Sequence, residues 1–385
     1  MTILEGDRLK ILQIADDFHS GGGKERFIYD LTEKLINKGV KTSLICIDHD
    51  NTSSWGDELN CEIIKFSSAW LSYIEDYNPD AIIWHVGVET TDKITKIVSK
   101  YNVLSIVHNA TCPSGTRLFR DNDQICQAAT GNMCMVNWYV RKCGTNKAPK
   151  EAYRLFNKSK EVHVILNKCK TVYVATKAMQ KTLEIENIKS EKIKLFDITL
   201  GNLTDLGPIK VTNNTDVLKV LYVGRLSYNK GVQYLIEAIS RMKQDNINVM
   251  CEIVGGGWYE DELKALVKKK GLDNYINFIG RVNGYEVSKY YLETDVVVVP
   301  SIWYEAAGLV VPEARGTGKP VVVFNSGGLQ EWQVMMNNIY YAERTDSRSL
   351  AKTILEAKQG MKNTHQNNQF KSPYKDLCRD LIEGY

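Results

Sequence analysis

No apolar run in the 385-residue sequence approaches the roughly 20 residues that cross a bilayer. The opening stretch, Met1 to Lys10, mixes charged and apolar side chains and has no signal-peptide core. The expectation is a cytoplasmic protein. A peripheral contact at the inner face of a membrane stays open to it, because that needs only a surface patch. Excess charge of one sign is also missing. Lys and Arg number 49 against 46 Asp and Glu, a formal net charge of +3, too little to point to nucleic acid as the main partner. The nine cysteines are odd in number and none is spaced C-x-x-C, which argues against a secreted disulfide framework and weakens a zinc reading. The first glycine loop lacks the G-x-G-x-x-G spacing of a dinucleotide site.

What is present is ordinary for a folded chain, with 43% hydrophobic and 25% charged residues. The length exceeds what one core usually organises, so two domains are expected. The apolar run Lys10–Ala15 reads as a buried strand, followed by turn chemistry over Asp16–Gly23. Phe27, Ile28, Leu31, Leu35 and Ile36 have helical spacing, Gly39 is a C-cap, and Thr42–Ile47 is a second strand. This strand–glycine loop–helix–strand unit implies a parallel sheet. Its glycines, Gly22 and Gly23 among them, suit either a phosphate cradle or a tight turn needing positive φ. Strands follow near 63–66, 81–86, 103–107, 171–175 and 193–198, with helices near 69–77, 91–101, 151–167 and 177–186. Between His108 and Lys150 the alternation fails, and a connection that long is usually functional. Gly201–Asp216, rich in Asn, Thr, Gly and Pro, is the linker candidate.

A second alternating half has strands at 217–223, 249–254, 275–279, 296–299 and 320–324 and helices at 231–242, 260–270, 285–293 and 349–358. A polar tail and a last helix over 374–382 close the chain. The fold class is α/β, two Rossmann-like halves with a ligand cleft between them. Expected boundaries are 1–205, with an insertion at 108–150, then 206–365, and a C-terminal helix in 366–385 packing back on the first domain.

Three glycine turns follow strands in the second half. In Gly224-Arg225-Leu226-Ser227-Tyr228-Asn229-Lys230-Gly231, an Arg at a strand end and a Lys at a helix start suit a diphosphate: one a fork, the other a point charge. They can offset charge on a leaving group without a metal. Val254-Gly255-Gly256-Gly257 would let a nucleotide approach the backbone, and the strand end at Phe278–Val282 would offer backbone groups to a base. The fourth turn is Ser301–Glu313, where Glu305 and Glu313 bracket Gly308 between a buried strand and a helix. Ligands of α/β sheets sit at such strand ends. Glu305 can hold sugar hydroxyls, and Glu313, two helical turns on and expected on the same helix face, can take a ribose diol.

In order and spacing these motifs resemble the donor domain of the retaining, GT-B-fold glycosyltransferases of family 4, the glycosyl transferases group 1. The matching positions are Gly224-Arg225-Leu226 with Lys230-Gly231, Val254–Gly257, Phe278-Ile279-Gly280, Pro300-Ser301, Glu305 with Glu313, Gly318–Val322, and Gly327-Gly328 with Glu331. Gly22-Gly23 before Glu25-Arg26, and His108 at a strand end, resemble the family's first half. The resemblance implies a GT-B fold, its two domains facing each other across a deep cleft. It also implies a retaining, metal-independent hexosyltransferase that uses a UDP- or GDP-sugar and no cofactor. Arg225 and Lys230 would bind the diphosphate, covered by Gly22 and Gly23, with Gly256 beside the nucleotide. Glu305 and the amides of Ala306, Ala307, Gly308 and Leu309 would contact the sugar, Glu313 the ribose, Val282 the base, and His108 the sugar near the reaction centre. The acceptor would be a glycan or a lipid-linked saccharide of polysaccharide or glycolipid biosynthesis. A non-catalytic relative that binds a nucleotide sugar, or an epimerase, is the alternative. Ala306-Ala307 and Pro312 depart from the family's usual residues, which bears on the shape of the sugar pocket.

Cys112, Cys126, Cys134 and Cys143 all fall in the insertion. Free thiols, a structural zinc site and disulfides each fit the sequence. Arg117, Arg120, Arg141 and Lys142, interleaved with Leu118, Phe119, Trp138 and Tyr139, suit an acceptor carrying phosphate or lipid, or a solvated loop packed by its own aromatics.

Overall fold

The computed structural model describes residues 9–19, 22–49, 58–145, 148–198, 216–282, 284–360 and 372–384. The expected boundaries at 205 and 365, nearly all of the linker candidate and most of the polar tail lie outside them. The chain divides into two compact units. One takes the described residues of Met1–Asn122, Cys126–Gly201 and Pro373–Tyr385, the other those of Asp123–Ile125 and Asn202–Ser372.

The first unit is built on an eight-stranded sheet. Its strands are β1 (Lys10–Phe18), β2 (Lys41–His49), β3 (Glu62–Lys65), β4 (Ala81–His85), β5 (Val103–Val107), β8 (Thr171–Val174), β9 (Ile193–Asp197) and β16 (Lys375–Asp376); the short β6 (Leu118–Phe119) and β7 (Gln124–Ile125) stand apart from it. The order is β16-β9-β8-β5-β4-β1-β2-β3, and every pairing is parallel. Strands buried on both faces need continuous apolar runs, which β4 and β5 supply with every residue buried. The helix Gly23–Asn37 turns Phe27, Ile28, Leu31 and Leu35 inward, as their spacing requires.

The second unit carries a six-stranded sheet in the order β12-β11-β10-β13-β14-β15. The strands are β10 (Leu218–Val223), β11 (Val249–Val254), β12 (Ile276–Gly280), β13 (Val296–Val299), β14 (Val321–Phe324) and β15 (Ile339–Ala342), again all parallel. Strand order reverses between β10 and β13 here, and between β1 and β4 in the first unit. Crevices at the carboxyl ends of such strand pairs are where open α/β sheets bind ligands.

The insertion holds more structure than its sequence suggested. Met133–Val140 forms a helix, and the helix expected over 151–167 starts at Pro149 and runs for 20 residues, proline's missing N–H costing nothing at a first helical position. Arg117 also differs from expectation. It is 2% exposed and pairs with Glu186 at 3.0 Å, while its other nitrogens donate to the carbonyls of Cys126 and Ala128. Leu118 and Trp138 are likewise buried. Arg117 is therefore a structural clasp of the insertion and is not offered to an acceptor. All nine cysteines are free thiols. Among the described residues no three His, Cys, Asp or Glu side chains are placed to hold a metal ion, so the zinc reading of Cys112, Cys126, Cys134 and Cys143 gains no support.

Candidate active site

The glycine turns after β10 and β11 are fitted backbone to backbone. Gly231 has φ 72°, and a Cβ there would lie 1.8 Å from the Pro300 carbonyl oxygen. The same atom on Gly255 would lie 1.9 Å from the Gly224 oxygen. No other residue fits either position, which explains the glycines at the strand ends. The close approach joins the Arg225–Lys230 loop to the end of β13, where Ile302 N–H donates to the Asn229 carbonyl at 3.0 Å.

That join sets Lys230 against Glu305. Lys230 Nζ donates to Glu305 Oε2 at 2.8 Å and sits 5.0 Å from the Trp303 ring centroid. Trp303 Nε1 donates to the same carboxylate oxygen at 2.7 Å. Glu305 is only 5% exposed. Burial pushes its carboxyl up, but the Lys230 charge, the Lys230 hydrogen bond and the Trp303 bond together hold it below the ordinary carboxylate value. It therefore stays an anion at neutral pH. Arg225, delivered one residue after Gly224, is exposed and makes no ion pair or hydrogen bond through its guanidinium among the described residues.

The segment from Glu305 to Leu309 is irregular, and the helix begins only at Val310. The expected shared helix face of Glu305 and Glu313 is not found, because Gly308 takes φ 74° and turns the chain. Glu313 is oriented separately: Tyr291 donates to its Oε2 at 3.0 Å. Burial and the Glu313 charge keep that phenol protonated, so it is the donor. The amides of Ala307, Gly308 and Leu309 donate to no group among the described residues. The turn is braced from behind by the loop 326–332. Gly328 N–H donates to the Glu305 carbonyl at 2.7 Å, and Trp332 Nε1 donates to the Ala307 carbonyl at 2.6 Å. Gly327, at φ 54°, packs directly on the Glu305 backbone, where a Cβ would lie 2.6 Å from both its nitrogen and its oxygen.

Gly256 lies beside Arg281, and Val282 is half-buried after β12. In the first unit Gly22 caps the helix starting at Gly23 with extended backbone, above Glu25. His108 follows β5 and contacts His85 at 3.0 Å.

Residues 208–371 match the family described as glycosyl transferases group 1. An uncharacterized glycosyltransferase of Methanocaldococcus jannaschii is 31% identical to this chain over 241 residues, 58% of this chain and 61% of that protein. An uncharacterized 42.6 kDa protein in the cps region of Klebsiella pneumoniae is 26% identical over 347 residues, 84% of this chain and 86% of its own length. The chain spans about three-fifths of the archaeal relative and 52% of a second curated glycosyltransferase. Among solved structures, Anabaena HepE in complex with UDP and glucose is similar with a TM-score of 0.69 at 17% identity, covering 98% of this chain and 99% of that one. Both units thus have the Rossmann-like architecture of GT-B glycosyltransferases.

Three residues around these positions belong to no motif: Trp303, Gln13 and His85. Trp303 buttresses Glu305 and is signalled only by an aromatic just past a buried strand. Gln13 and His85 are polar residues inside otherwise apolar strands, 0% and 1% exposed. A polar side chain at a buried strand position is the signal that finds them.

Proposed function

We propose that this chain is a retaining glycosyltransferase that moves a hexosyl group from a nucleotide-diphosphate sugar to a glycan or lipid-linked saccharide. The observation that carries the reading is the pairing of an unengaged Arg225 with the Lys230–Glu305 ion pair at the β10/β13 switch point. Arg225 offers a two-pronged fork to the diphosphate. Lys230 has three N–H donors, one of which is spent on Glu305, so the ammonium can serve a diphosphate oxygen as well. Charge that builds on the departing diphosphate is met by these fixed cations, and no divalent metal is required. Glu305, held as an anion, accepts hydrogen bonds from sugar hydroxyls. The amides of Ala307, Gly308 and Leu309 supply donors on the same turn, with Ala306 beside them. Glu313, steadied by Tyr291, takes the ribose, and Val282 meets the base through its backbone.

The first unit is assigned the acceptor, with His108 as a candidate contact to a sugar and Gly22 and Gly23 as candidate contacts to a phosphate. Similarity to the protein of the Klebsiella pneumoniae cps region supports polysaccharide assembly, and a fold neighbour solved with UDP and glucose supports a UDP-sugar. The deciding assay incubates the protein and an oligosaccharide acceptor panel with UDP-, GDP-, ADP- and dTDP-hexoses in the presence of EDTA. Transfer with the donor's anomeric configuration kept, read by proton NMR of the product, is expected. Inverted product or a requirement for metal overturns the mechanism. Donor binding without transfer to any acceptor favours a non-catalytic nucleotide-sugar binder.

A further inference from the structure

We infer that Gln13 and His85 are positioning residues that fix the tautomer of His108, leaving its outward nitrogen, Nδ1, as a bare hydrogen-bond acceptor. The inference rests on the proposed function only for its consequence in catalysis; the tautomer itself is a property of the first unit.

One buried chain of hydrogen bonds links Thr32 to His108. Thr32, on the first helix, has a single hydroxyl hydrogen and gives it to the Ile28 carbonyl at 2.7 Å. Its oxygen can then only accept, and what reaches it at 2.7 Å is the Gln13 side-chain amide nitrogen. Thr42 lies on the same side of that amide, at 3.4 Å. Gln13 is thereby oriented with Oε1 toward β4, where it meets His85 Nε2 at 2.8 Å. A carbonyl oxygen has no hydrogen to give, so His85 carries its proton on Nε2. Its Nδ1 is then a lone pair, and the group facing it at 3.0 Å is His108 Nε2, which must donate. The two rings lie within 20° of coplanar with centroids 5.3 Å apart, the arrangement of an in-line N–H···N bond. One proton remains for a neutral His108, and it is committed to Nε2.

Neutrality is enforced by the surroundings. Burial, with the nearby Lys24 charge, holds His108 down to about 3. Burial, His108 and Lys24 hold His85 well below the ordinary histidine value. The Phe27 ring packs edge-on against both imidazoles, at 5.2 and 6.4 Å. His108 remains partly exposed, and its Nδ1 has no partner among the described residues. A purely structural network would be satisfied with its hydrogen bonds running in either direction. The Thr32–Ile28 bond is what selects one.

A bare imidazole nitrogen receives a hydrogen bond from a hydroxyl. It gains nothing from a deoxygenated carbon, and its lone pair is repelled by a carboxylate. The position facing His108 therefore selects a sugar with a free hydroxyl there over a deoxy sugar or a uronate.

The test is a long-range ¹H–¹⁵N correlation spectrum of the full-length, ¹⁵N-histidine-labelled protein, with His85 and His108 assigned by single substitution. Both rings are expected as the Nε2–H tautomer, with bare Nδ1. A protonated Nδ1 on His108 in the unmodified protein overturns the inference, whatever the protein catalyses. Gln13→Glu supplies the functional arm. A carboxylate raises the proton affinity of His85, which becomes an imidazolium that donates from Nδ1 and drives the His108 proton to its own Nδ1. The expected result is roughly tenfold lower turnover of the nucleotide-sugar donor with an unchanged thermal shift on adding UDP, which has no sugar to meet His108. Equal loss of UDP binding and turnover assigns Gln13 a merely structural role. Absence of transfer by the unmodified protein sinks the proposed function and leaves the spectrum to decide the tautomer.

Discussion

Lys230 and Glu305 form an ion pair whose contribution to stability depends on pH. A carboxyl whose value falls on folding adds stability that is fully present above its unfolded value, 4.5 for Glu305, and is lost as the pH drops through the folded value. Lys230→Met removes the cation and leaves Glu305 buried, so its folded value rises. The variant should be about 2–3 kcal/mol less stable at pH 7, and the deficit should shrink below pH 5 as the carboxyl takes up a proton. Urea midpoints at pH 7 and pH 4.5 measure it; an equal deficit at both would remove Glu305 from the explanation. Arg225 is the contrasting case. Its guanidinium is exposed and makes no ion pair or hydrogen bond among the described residues, so Arg225→Ala should leave the melting temperature within about 1 °C. Turnover should fall by roughly 10²–10³. Retention of near-normal turnover in that variant removes Arg225 from the diphosphate site. Arg225, Lys230 and Glu305 stand out in the sequence because each lies within three residues of a glycine in a turn that follows a strand, and Glu313 because it falls in the first turn of the next helix. Trp303 does not, because its contribution depends on where the indole N–H points.

Among the elements, the buried strands read most clearly. Val296–Val299 is four apolar β-branched residues in a row, and all four are buried. Burial of such a side chain contributes about 1.5–3 kcal/mol, which leaves little room for another reading. Strand β15 was hidden because Ile339-Tyr340-Tyr341-Ala342 is short, follows Asn338, and pairs along only one side, with β14. The Met133–Val140 helix was hidden for a different reason. Four of its residues, Met133, Val136, Tyr139 and Val140, are large, apolar and exposed, so the amphipathic spacing that marks a helix is absent. Long-range contacts hold this region instead. Glu186 accepts from Arg117 and from the Thr130 N–H at 2.8 Å, pairings 69 and 56 residues apart that no local pattern announces. Arg117→Ala strands a buried carboxylate and should cost about 3–5 kcal/mol. Arg117→Ala with Glu186→Gln should recover part of that loss, since the glutamine carries no charge. Chemical denaturation of the single and double variants compares them. A double variant no better than the single would show that the charge is not the source of the cost.

At the scale of the molecule, two parallel sheets each present a switch point, and the matched family covers residues 208–371. The core of the first unit contains a polar chain from Thr32 to His108, which no local sequence pattern marks. It also depends on residues far along the sequence. Strand β16 pairs with β9, and the following helix buries Leu377, Cys378 and Leu381. Lys34 and Asp376 form an ion pair beside it. Deletion from residue 373 onward should lower the melting temperature of the first unit by roughly 10 °C, from the two buried leucines alone. Differential scanning calorimetry reads it, and an unchanged profile would make the segment an ornament.

The same pairing orders events on the ribosome. The eight-stranded sheet has its other seven strands in place by Asp197, yet its last strand arrives only with Lys375 and Asp376. The intervening six-stranded sheet is complete in sequence by Ala342. The unit whose translation begins first is therefore the one whose last strand is translated last. Until synthesis reaches its closing strand, the nascent chain presents the open edge of β9, so a truncated translation product carries that exposed edge permanently and is a natural target for chaperones and proteases.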